Sequence, residues 1–174
     1  MTPSPLTSSG LPFSGLTFAG PNNAIRALWD RLQGKPGGPR LFGLMMSRAI
    51  PYTGSISPRV LELRPGFARV AMADRPRLRN HLQSLHAIAL CNLAEYAGNL
   101  ALAYSLPDGA RFIVKNLSID YLKKARGKII AECHCAVPTS NETHDYALEV
   151  TLSNDANEIV ARATLQTRVG PVPT

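Results

Sequence analysis

Between Arg79 and Asp108 the chain carries one formal charge, Glu95. The stretch Asn80–Pro107 reads NHLQSLHAIALCNLAEYAGNLALAYSLP and contains no Lys or Arg. Leu85, Ile88, Ala89, Asn92, Leu93, Tyr96, Leu100 and Ala103 recur in it at helical spacing. A helix so poor in charge is expected to be buried nearly all round, as if wrapped by a sheet. Ala87, Ala89, Ala94, Ala97, Gly98 and Ala101 would let a sheet approach closely. Glu95 is awkward in that setting, because an ionised carboxylate is costly to bury without a partner. Its helical neighbours would be Cys91, Asn92, Gly98 and Asn99, none of them a cation. Glu95 therefore either meets water at a gap in the packing or lines a cleft and does chemistry.

The flanks supply the sheet. SPRVLELRPG and FARVAMADR read as two strands around a Pro65-Gly66 turn. After Pro107 and Gly109 end the helix, four strand-like runs follow, near 111–123, 128–137, 145–153 and 158–169. Two strands, a long helix and four strands make an α+β fold, with one antiparallel sheet curled round a central helix. Residues 54–170 form this domain. Before it, residues 21–53 read as a helical extension: NNAIRALWDRLQ as an amphipathic helix capped by Asn22 or Asn23, KPGGPR as a loop, and LFGLMMSRAI as a second helix stopped before Pro51. Residues 1–20, rich in Ser, Pro, Gly and Thr, read as a flexible tail.

The 174 residues suffice for one domain with a real core. The net charge of +7 suits an anionic ligand, a nucleic acid or an acidic membrane surface alike. Nucleic acid is disfavoured, because no strand interleaves basic and aromatic residues. No apolar run is long enough for a membrane span, and residues 1–20 lack the basic start and compact apolar run of a secretory signal. Cys91, Cys133 and Cys135 lack CxxC spacing and read as reduced core or half-buried thiols, which suits a cytoplasmic protein. His81 and His86 are five apart and no HExxH occurs, so no metal is implied. Ser84 is a natural helix N-cap and lies in no nucleophile elbow.

Asn80, His86 and Glu95 stand six and nine residues apart, with Leu93 between the last two. This pattern resembles N-x-x-G-x-x-H-G-G-x-x-x-x-L-x-D of hotdog-fold thioesterases of the phenylacetate-pathway type. The element order and the continuation IDYLKKARGKIIAECHC are similar too. The resemblance covers about 54–169, and the region before it looks like that of an uncharacterised branch of hotdog proteins. Four positions depart from the pattern: Gln83, Ala87 and Ile88 stand where the family has glycine, and Glu95 replaces the commoner Asp.

The resemblance implies hydrolysis of an acyl-CoA thioester to acid and thiol, with no cofactor beyond the coenzyme A of the substrate. Glu95 would be nucleophile or general base. The Ala87 N–H, at a helix N-terminus, would polarise the carbonyl, with Asn80 and His86 positioning it. His81 and Ser84 are neighbours of this set. Coenzyme A phosphates would meet either the loop of Arg75, Arg77 and Arg79 or the turn carrying Lys124 and Arg126. Ala87 and Glu95 lie eight residues apart, about 12 Å along a helix. One carbonyl cannot touch both in one chain, so these roles require at least a homodimer with sites across the interface. Acyl-CoA binding without turnover, hotdog dehydratase or hydratase chemistry, and a purely structural partner protein are the rival readings.

Overall fold

The computed structural model describes residues 23–172, so the tail read in residues 1–20 lies outside the described residues. Helix α1 (Ala24–Leu32), α2 (Gly38–Ala49) and a single turn, α3 (Pro51–Gly54), precede β1 (Arg59–Arg64) and β2 (Phe67–Met72). The long helix α4 (Ala87–Ser105) follows, then β3 (Ala110–Tyr121), β4 (Ile129–His134), β5 (His144–Ser153) and β6 (Ile159–Pro171). The six strands form one antiparallel sheet in the order β1-β2-β4-β5-β6-β3.

Helix α4 touches every strand of that sheet. Leu90, Leu93, Ala94, Ala97, Leu100, Ala101 and Leu102 are buried against it, as the charge-poor stretch predicts. At Gly98 an added Cβ would lie 3.0 Å from a Leu165 methyl, so the missing side chain is what admits β6 and β5. One stripe stays open. Ile88, Cys91, Glu95 and Asn99 follow the same 3–4 spacing on the side the sheet leaves uncovered. This corrects the expectation for Ile88: it belongs to that stripe, 53% exposed, and not to the core.

The N-terminal helices share the core. Ile25, Trp29, Phe42 and Met46 join the same contiguous cluster as the sheet residues, with Trp29 and Phe42 packed edge to face at 5.1 Å. Helix α2 begins at Gly38, inside the segment read as a loop. Pro39 starts this helix, because the first turn needs no N–H from it.

Helix α4 has no basic residue in its last turn, so its free carbonyls need donors from elsewhere. Helix α1 provides them. The Asn23 amide donates to the carbonyls of Ala103 (2.7 Å), Tyr104 (3.2 Å) and Leu106 (3.1 Å). Arg26 donates to Tyr104 and Leu106 as well. The other end of the Asn23 side chain caps α1 itself, accepting from Arg26 N–H at 2.9 Å. Asn23→Ala removes both functions at once. We expect it to cost about 2–3 kcal/mol and to lower the thermal midpoint by roughly 6 °C. Asn23→Asp keeps the α1 cap and loses the donor to α4, so calorimetry should place it between alanine and wild type.

Candidate functional site

The site is built where α4 begins. Residues 79–85 close a small hairpin through an Arg79–Leu85 bridge and an Asn80 N–H to Ser84 carbonyl bond of 2.8 Å. Asn80 organises this turn: its Oδ1 accepts from Leu82 N–H (2.9 Å), Ser84 N–H (3.3 Å) and the Ser84 hydroxyl (3.2 Å). That leaves the Asn80 amide hydrogens unspent among the described residues. Ser84 is buried in this turn and is not the helix N-cap. The cap is His86, whose Nδ1 accepts from Ile88 N–H at 3.1 Å. A neutral His86 ring bonded this way carries its proton on Nε2. Gln83, where the resembled pattern has glycine, has a positive φ of 53°. The backbone there has the left-handed shape that glycine adopts without cost.

The capping has a consequence for Ala87. Ile88 N–H is taken by the His86 ring, and Ala89 and Leu90 N–H by the His86 carbonyl. Among the described residues, Ala87 N–H has no acceptor. It stands at the positive end of a 19-residue helix and lines a groove of about 350 Å³. Asn80, Leu90, Tyr121, Leu122 and Lys124 line the same groove. Leu82, Ile88, Tyr121 and Leu122 are large apolar side chains left about half exposed around this one helix end.

Tyr121 went unnoticed in the sequence. Its hydroxyl donates to the Ala87 carbonyl at 3.0 Å and ties the end of β3 to the helix start. The signal was the alternation of Leu117, Ile119 and Tyr121 along β3, which puts them on one face.

Glu95 sits two turns further along α4, half-buried in the open stripe, with no ion pair or hydrogen bond among the described residues. Cys91 lies one turn before it. Burial, and then the Glu95 charge, push the Cys91 thiol above its ordinary value. The shift favours the Cys91 thiol over its thiolate. Burial, and next Cys91, raise the Tyr121 phenol too, so it stays a donor. Glu95 and Ala87 are on one helix but not at one point, as their spacing requires.

The basic residues divide. Lys124 lines the groove, and Arg126 reaches over the hairpin to the Leu82 carbonyl at 3.5 Å. Arg79 is spent on Asp74 at 2.7 Å. The Arg79 bond holds the Asp74 carboxyl below its usual range, and Asp74 also accepts from Gly127 N–H at 3.0 Å. This pair pins the hairpin to the turn beside it. Arg77 points elsewhere, donating to the Ser57 hydroxyl at 2.8 Å. His81 is exposed and makes no hydrogen bond among the described residues.

Residues 38–169 match the family described as Domain of unknown function (DUF4442). Over 110 residues the chain is 32% identical to an Archaeoglobus fulgidus protein named "Putative esterase", across 62% of this chain and 68% of that one. A genomics-target crystal structure is 31% identical, with a TM-score of 0.74 across 85% of this chain and 99% of the other. The E. coli PaaI protein from the phenylacetic acid degradation operon is 18% identical, with a TM-score of 0.60 across 74% and 88% of the two chains. At that identity the likeness bears on the fold alone.

Proposed function

The chain belongs to the DUF4442 family and has the hotdog fold, and on that premise we propose that it is an acyl-CoA thioesterase. The observation that carries this reading is the unspent Ala87 N–H at the start of α4, with an unpaired carboxylate on the same open helix face. The first is a donor where an oxyanion develops. The second is a nucleophile, or a base for water, at the carbonyl carbon. Asn80 offers its free amide hydrogens at the groove wall, and His86 fixes the helix start that presents the donor. The methyl of Ala87, where the family pattern has glycine, leaves its N–H in place.

The two groups must come from different chains, because about 12 Å of helix separates them. Two features support a homodimer. Strand β3 ends the sheet with 12 residues, and among the described residues its outer edge is unpaired, a form that other chains can pair with. Ile113 on it is 66% exposed. The uncovered stripe of α4 is the second feature: two such stripes running antiparallel would place Ala87 of one chain beside Glu95 of its partner. Light scattering should therefore return a mass of two or four chains, each of 18.8 kDa. A monomer at working concentration would rule out the shared site.

The direct test is thiol release from short, long and aryl acyl-CoAs. Turnover of any one with free thiol as product supports the reading. Tight binding without release would make the protein an acyl-CoA sensor or carrier. Hydration of an enoyl thioester would make it a hydratase.

A further inference from the structure

Outside the groove at α4 lies a second one, of about 440 Å³, between α2, the end of α3 and the start of β1. Arg40 from α2, Arg59 from β1 and Arg75 from the loop after β2 all line it, and no carboxylate does. None of the three makes a salt bridge among the described residues. The nearby acids are taken: Glu62 by Arg64 at 2.9 Å and Asp74 by Arg79 at 2.7 Å. Arg77 stands at its rim, bonded to Ser57. A smaller hollow of about 280 Å³ shares Arg40 and Arg59 and extends the groove along β1. Its floor is close main chain: Gly43 and Gly54 line it, and a Cβ on Gly54 would come within 2.6 Å of the Ser47 carbonyl oxygen. Three guanidinium groups from three separate elements, converging without a counter-charge, suit a ligand with several phosphate oxygens.

We propose that this arginine groove binds the phosphorylated nucleotide end of the thioester substrate, the 3′-phospho-ADP moiety of coenzyme A. The assignment rests on the acyl-thioester reading above. The reach is right. Arg75 lines one groove and Asn80 the other, and five residues span at most about 17 Å. The short 3₁₀ turn Pro76–Leu78 shortens that distance. An extended pantetheine arm is roughly 15 Å by the same bond lengths. The competing basic turn is weaker as a phosphate site. Lys123 is paired with Glu158 and Lys128 with Asp155, each at 2.7 Å, which leaves only Lys124 and Arg126.

The test uses adenosine 3′,5′-bisphosphate as the probe, by calorimetry, so that it stands whether or not thioester turnover is found. The wild type should bind it, adenosine should not compete, and Arg40→Gln with Arg59→Gln should weaken it at least tenfold at an unchanged thermal midpoint. Arg75→Gln, on a different element, should shift affinity in the same direction. Where turnover is measurable, the KM for acyl-CoA relative to the matching acyl-pantetheine should rise about tenfold in the double variant. Bisphosphate affinity unchanged in the double variant overturns the proposal. An equal KM rise on acyl-pantetheine overturns it, since that ligand has no phosphates. A larger loss from Lys124→Gln with Arg126→Gln overturns it as well, moving the phosphates to the other groove. Absence of turnover with bisphosphate binding intact overturns the thioesterase reading and keeps the site.

Discussion

Glu95→Gln is expected to fold as the wild type does, to bind acyl-CoA, and to release thiol at least about a hundredfold more slowly. Folding is spared because Glu95 makes no ion pair or hydrogen bond that the amide would lose. Cys91 provides an internal check. The Glu95 charge helps push its thiol up, so glutamine should lower the pH at which Cys91 reacts with a thiol reagent, whatever happens to turnover. Ala87→Pro is the companion variant. It deletes the N–H while keeping the helix, because proline suits the first helical position. The preceding His86, at φ −65° and ψ 140°, already has the conformation that proline demands. Each variant alone should be inactive. Refolded together in equal amounts, they should recover about a quarter of wild-type activity. Half of the dimers are then mixed, and each mixed dimer has one intact site of two. No recovery in a mixture shown to contain mixed dimers would mean that the two groups do not share a site across chains. Full turnover in Glu95→Gln would mean that another group activates the nucleophile.

Gly38→Ala is the substitution expected to harm the fold most. A methyl at Gly38 would overlap the main-chain carbonyl of Leu32, where α2 turns back on α1. Main chain cannot swing aside as a side-chain tip can, so the corner must open. The expected loss is about 3 kcal/mol or more, a thermal midpoint lower by roughly 6–12 °C. Gly34→Ala, with nothing within 4 Å of the added carbon, should stay within about 0.5 kcal/mol of wild type in the same melt. Equal melting of the two would mean that the corner is looser than its packing implies. The damage should spread to α4, because the α1–α2 corner holds Asn23 and Arg26 against its last carbonyls.

The central helix and the strands around it were legible because burial leaves a periodic mark. A run with a single charge and many small residues has few other uses, and four alternating runs after it leave one class of fold. Asn80, His86 and Glu95 came from the resemblance in their spacing, and the structure brings Asn80 and Ala87 to one groove, with His86 capping the helix that Ala87 begins. The expectations that failed were local. Ser84 looks like a cap, but its hydroxyl is drawn to Asn80, and the His86 ring nitrogen does the capping. Ile88 fits the apolar repeat, yet the stripe that the sheet leaves open has the same period, so composition cannot separate the two faces. KPGGPR looks like a loop because proline and glycine both break and begin helices. Tyr121, the α1 clamp on α4 and the arginine groove depend on contacts across dozens of residues, which no local pattern records.

The two margins of the sheet are unlike each other. Strand β1 is 6 residues long, bulged between Val60 and Glu62, set with the charged side chains of Glu62 and Arg64, and shouldered by α2. Strand β3 is twice that length and, although it too is bulged, between Val114 and Asn116, and carries Arg111, Lys115 and Asp120, no helix or strand covers its outer edge among the described residues. A sheet sticky at both ends can add copies without limit, whereas one sticky at a single end is spent once two copies have met. In the dimer proposed above, the short margin covered by α2 would act as a chain terminator: association along the strands would stop at a pair, and the long outer edge of β3 would be consumed in making it.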